Sequence, residues 1–179
     1  FIIFLDFETL DKEKKSNNLL HKCFSKFDTS LKVFDLTAGF CKDACSIANM
    51  GFPVTAYEKE SWLFEFNKTC LSSLKKRNLN LINLNSIRAL KKVTKKDILF
   101  LDPMFEINSR ASAKKEIQFL RKCISSSSEK EILDAAQKSS AGVIIIKRHK
   151  LSNSQNPTKP SYVIKGKVIS FEVFDRRAV

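Results

Sequence analysis

Short apolar runs alternate along the chain with stretches whose apolar residues recur every three or four positions. The runs at residues 32–36, 53–57, 80–83, 97–101 and 142–147 have the length and content of strands. Between them, helical spacing predicts a helix over 42–49. A second covers 61–75, with Leu63, Phe66, Cys70 and Leu74 on one face. A third covers 112–124, with Ile117, Leu120 and Ile124 on one face, and a fourth covers 128–138. The last opens with Ser128 and Glu131, the spacing of a capping box. Two final runs, 162–165 and 168–174, flank Gly166-Lys167 and read as a hairpin.

Strand–helix alternation argues for parallel βαβ units. With the terminal hairpin, the expectation is an α/β domain around a seven-stranded, mostly parallel sheet, occupying 31–179 after an N-terminal extension at 1–30. Such a sheet binds its ligand at the carboxyl ends of its strands, near the switch point. Phe1–Phe7 is apolar but too short to span a bilayer, and lacks the basic start of a signal peptide. A soluble cytoplasmic protein is therefore expected. With no Met at position 1, the chain is expected to be trimmed or partial.

Charge adds a partner to this picture. Thirty-two Lys and Arg against 19 acidic residues give a net charge of +13, which suits a polyanion such as nucleic acid, although a solvated basic surface has the same composition. The basic clusters lie at 91–96 and at Lys147, Arg148 and Lys150, which are candidate nucleic-acid contacts. The five cysteines, at 23, 41, 45, 70 and 123, form no C-x-x-C pair, and His21 stands far from His149. Neither a disulfide framework nor a metal centre is expected.

The strand ends carry the candidate chemistry. After the first strand comes Asp35-Leu36-Thr37-Ala38-Gly39-Phe40-Cys41-Lys42-Asp43, a small-residue turn into a helix start. There Gly39 lets backbone approach a ligand, and Asp35 and Thr37 join it as candidate cofactor contacts. Glu58 ends the second strand, where an acidic residue accepts from ribose hydroxyls of nicotinamide and adenosylmethionine cofactors alike. The fourth strand runs into Asp102-Pro103-Met104-Phe105. An exocyclic base amine is a poor nucleophile, because its lone pair is delocalised, and must be held by acceptors. Asp102 offers a carboxylate, Pro103 a carbonyl on restricted backbone, and Phe105 a face for stacking.

The blocks FDLTAGFCKDA (34–44), YEKE (57–60), LDPMF (101–105), KKEI (114–117), VIIIKR (143–148) and VIKGKVISFEVF (163–174) together resemble the RsmJ family, small-subunit ribosomal RNA guanine-N2 methyltransferases. The resemblance covers roughly 30–175, and Asp-Pro-Met-Phe is similar to the Asn/Asp-Pro-Pro-Tyr/Phe motif of amino-methyltransferases. It implies a Rossmann-like class I methyltransferase fold using S-adenosylmethionine. Cofactor contacts are then expected at Lys42, Asp43, Glu58, Lys59, Asn85, Ser86 and Asp102, and the reacting amine beside Asp102, Pro103, Met104 and Phe105. The implied partner is 16S ribosomal RNA or the 30S particle. The family carries more glycine where this chain has Phe40-Cys41. An amino-methyltransferase acting on DNA or protein, or a catalytically silent RNA-binding module of the same fold, are the competing readings.

Overall fold

Strand order in the sheet is β3-β2-β1-β4-β5-β7-β6, and the residues that build it explain the order. The computed structural model describes residues 19–72, 78–103, 129–150, 152 and 158–177. In chain order these form α1 (Leu19–Phe24), β1 (Lys32–Asp35), α2 (Lys42–Asn49), β2 (Val54–Glu58), α3 (Ser61–Ser72) and β3 (Leu79–Asn83). A 3-10 helix (Ser86–Lys92), β4 (Asp97–Leu101), α4 (Glu129–Lys138), β5 (Val143–His149), β6 (Tyr162–Lys165) and β7 (Ile169–Asp175) follow. Strands β1 to β5 pair in parallel, and β7 runs antiparallel between β5 and β6.

The central strands β4 and β5 read as nearly unbroken apolar runs because helices cover both faces. Every residue of β4 is buried, as are the first four of β5. Side chains alternate between faces. Ile98, Phe100 and Ile145 join Phe24, Ile47, Phe52 and Phe171 in one core. Leu99, Leu101, Ile144 and Ile146 join Leu36, Ile132, Leu133 and Ala136 in the other. All seven expected strands are present, most with ends shifted by a residue or two, and α2 has the expected bounds. The expected helix at 112–124, the cap at Ser128 and the block at 114–117 lie outside the described residues.

The segment 19–27, read from sequence as part of an extension, packs into the domain core. Leu20, Cys23, Phe24 and Phe27 are buried, and the Phe24 ring meets Phe52 edge-on at 5.4 Å and Phe100 at 6.0 Å. A six-residue helix is too short to persist alone, so this packing is what sustains α1.

Order reverses at β1, which has β2 on one side and β4 on the other. The carboxyl ends of β1, β2, β4 and β5 therefore converge there.

Candidate active site

The end of β1 bends sharply and is held at both sides. Asp35 Oδ1 accepts the Thr37 amide at 3.0 Å, and Thr37 Oγ1 accepts the Asp102 amide at 2.7 Å, tying β1 to β4. The chain then turns through Gly39 (φ 50°) and Cys41 (φ 57°) into α2. Cys41 is the only non-glycine residue with positive φ among those described. The turn thus persists although the second glycine is missing. Asp35 is buried, and burial pushes its carboxyl up to about 8, against the Thr37 amide.

Glu58, at the end of β2, folds back toward this turn. Its Oε1 accepts the Glu60 amide at 2.9 Å, and the Gly39 and Lys59 amides also act on it. Burial raises its pKa while those amides oppose the rise. Asn67, in α3, donates from Nδ2 to the Gly39 carbonyl at 2.6 Å. It is fully buried, and its Oδ1 has no hydrogen-bond partner. An unmet buried acceptor is costly, and so calls for an explanation. Sequence reasoning missed Asn67, although it stands four residues after Leu63, a polar residue within the apolar stripe of its helix.

At β4, Pro103 is buried and Asp102 is partly exposed, at 39% of its side chain. Lys147 closes the arrangement from β5, with Nζ 2.8 Å from Asp102 Oδ2 and 2.6 Å from Asp43 Oδ2 at the start of α2. Burial works against the ammonium, but the two carboxylates hold it above the ordinary lysine range. Burial pushes Asp102 up to about 6, Lys147 pulls it back, and Asp43 raises it further.

Asp35, Thr37, Gly39, Asp43, Glu58 and Asp102 therefore meet at one edge of the sheet. Lys42 and Lys59 are exposed at its margin, with Lys59 3.9 Å from Glu60. Asn85 caps the 3-10 helix, its side-chain oxygen accepting the Ile87 amide at 3.1 Å, and Ser86 is buried behind it. Met104 and Phe105 lie outside the described residues.

Two of the expected RNA contacts have carboxylate partners within the protein. Lys147 is bonded to two carboxylates inside the site. Arg148 is 5% exposed, with Nε 2.8 Å from Glu172 Oε2. A cation already neutralised by carboxylates and largely removed from water gains little from a phosphate. Of that group, Lys150 is exposed. The register Leu101↔Ile146 places Lys147 beside Asp102, a juxtaposition invisible until the strands are paired.

Among the described residues, no group of three or more His, Cys, Asp or Glu is placed to hold a metal, and no helix is long and apolar enough to cross a membrane.

Residues 7–176 match the family of SAM-dependent methyltransferases. The chain is 30% identical over 175 residues to ribosomal RNA small subunit methyltransferase J of Buchnera aphidicola subsp. Schizaphis graminum, covering 90% of this chain and 70% of that one. The enzyme of the same name from Coxiella burnetii is 29% identical over 151 residues, 79% of this chain and 59% of its own length. The chain thus spans between about three-fifths and seven-tenths of these two relatives. Among solved structures, the SAM-dependent methyltransferase NGO1261 of Neisseria gonorrhoeae shares the fold, with a TM-score of 0.69 and 21% identity, covering 99% of this chain and 76% of that one.

Proposed function

The chain belongs to the SAM-dependent methyltransferases, and within them to the family of ribosomal RNA small subunit methyltransferase J; from that premise we propose that it methylates the exocyclic N2 amine of a guanine in 16S ribosomal RNA. The observation that carries this reading is Asp102. It stands at the end of β4, with its backbone pinned by Thr37, its Oδ2 held by Lys147, and its side chain partly open.

The residues present fit the family's cofactor. The left-handed turn at Gly39 lets backbone approach a ligand, Glu58 suits ribose hydroxyls, and the unpartnered Asn67 Oδ1 beside the turn suits a donor. Asp35, Thr37, Lys42, Asp43, Lys59, Asn85 and Ser86 complete the proposed cofactor rim. When bound, S-adenosylmethionine supplies an electrophilic methyl group on a sulfonium.

Asp102 Oδ1 is the proposed acceptor for the amine N–H, with the Pro103 carbonyl as a second. Together they would hold the nitrogen for in-line attack, and Phe105 would stack the base. No strong base is required first, because the nitrogen becomes acidic as its lone pair is used. Its proton can then leave to water.

Single-turnover rates at saturating cofactor and RNA test this. Asp102→Ala is expected to slow transfer by about two to four orders of magnitude. Asp102→Asn should lose less, since an amide oxygen still accepts. A folded Asp102→Ala protein that transfers at the wild-type rate would remove Asp102 from the chemistry.

A further inference from the structure

The Lys147 ammonium bonded to Asp102 is also bonded to Asp43, and the three side chains come from β5, the end of β4 and α2. Lys147 is rigidly delivered. It follows four buried residues of β5, and its strand is locked to β4 on one side and β7 on the other. Its side chain is 20% exposed, too enclosed for a freely solvated lysine. The bonds use Oδ2 of each carboxylate.

We propose that Lys147 is a positioning residue for Asp102, fixing the carboxylate in one orientation as an anion, with Asp43 as the counterweight that anchors the ammonium.

The proposal rests on Asp102 receiving the substrate amine. A protonated or freely rotating Asp102 would present a hydroxyl or a wandering acceptor to an N–H donor, and neither holds the nitrogen in line. Two charged groups act on this carboxylate, Lys147 from β5 and Asp43 from α2, and Asp102 in turn acts on Asp35 of β1. Lys147 favours the anion, and Asp43 opposes it. The two clamp partners therefore pull Asp102 in opposite directions, which a merely structural ion pair at a distance from the acceptor would not do.

The carboxyl resonance of Asp102, followed by carbon NMR from about pH 4 to about pH 9 in the full chain, reads this directly. In Lys147→Met the midpoint should rise by about one unit or more, and in Asp43→Asn it should fall. Asp43→Asn retains a side-chain oxygen for Lys147, so it answers the question even if Lys147→Met folds poorly. A midpoint that stays in place in Asp43→Asn, or that moves the same way in both variants, overturns the proposal. In single-turnover transfer to small-subunit RNA, the acid limb should move with the NMR midpoint. Lys147→Met should then lose at least about fivefold near pH 6 and recover at alkaline pH, with Lys147→Arg close to wild type. A loss equal at every pH would assign Lys147 to folding alone. If the wild type transfers no methyl group, the RNA reading fails by itself, and the NMR titration still decides the clamp.

Discussion

Two aspartates one strand apart, Asp35 and Asp102, differ in what surrounds them. Asp35 is buried, and burial raises it from 3.8 to about 8. A carboxyl whose folded pKa lies above its unfolded one supports folding fully below pH 3.8, and loses that contribution as pH rises to about 8. Asp35→Asn has no such loss. Its stability advantage over wild type, in cofactor-free urea titrations, should grow from pH 4 to pH 8 and level off at on the order of a few kcal/mol. A gap that does not change with pH would mean that Asp35 is ionised throughout. Cys41 offers a second test at this scale. Its left-handed backbone disfavours any Cβ, so Cys41→Gly should be more stable than Cys41→Ala by about 1 kcal/mol in urea unfolding. Equal stabilities would show no strain there. The sequence marked Asp35, Gly39, Glu58 and Asp102 because strand ends and small-residue turns leave local signatures. The pairing of Lys147 with Asp43 and Asp102 spans 104 and 45 residues, and no local pattern encodes it.

Elements were legible where one period dominated. The apolar runs of β4 and β5 and the alternation in β7 are strong signals, and so were found. Leu20, Cys23 and Phe24 do have helical spacing, but α1 has only six residues, and its stability comes from Phe52 and Phe100, distant in sequence. The 3-10 helix gave no sign because its start is fixed by one contact, Asn85 to the Ile87 amide. Strand packing also limits substitution at the far edge of the sheet. A Cβ on Gly142, just before β5, would lie 1.9 Å from the Lys95 carbonyl oxygen that precedes β4. Gly142→Ala must push these strands apart and should cost roughly 3 kcal/mol in urea unfolding. An unchanged midpoint would contradict the close approach. The clash is at the amino ends of the strands, so the methyl-transfer rate of the folded fraction should be unaffected.

At the scale of the molecule, the net charge of +13 has to be placed relative to the site. Exposed Lys91, Lys92, Lys95 and Lys96 lead into the amino end of β4, while Asp102 follows its carboxyl end. Asp102 lies six positions of extended chain beyond Lys96, about 20 Å away. An RNA that reaches both would run along the height of the sheet. Lys95→Glu with Lys96→Glu should then weaken RNA binding and lower the magnitude of its log–log salt slope by roughly 0.7 to 0.9 per lost contact, with the rate at saturating RNA preserved. Lys147→Met should leave that slope unchanged. An unaltered slope in the double variant would place the RNA elsewhere. The most direct test of the whole account is transfer of a labelled methyl group to small-subunit RNA or particles from a strain lacking its own enzyme of this family, with mass mapping of the product. One new methyl group is expected on the N2 amine of a single guanine in 16S ribosomal RNA, formed about two to four orders of magnitude more slowly in Asp102→Ala. Label on another base, on ribose or on protein, or none with a cofactor-bound wild-type chain, would contradict it.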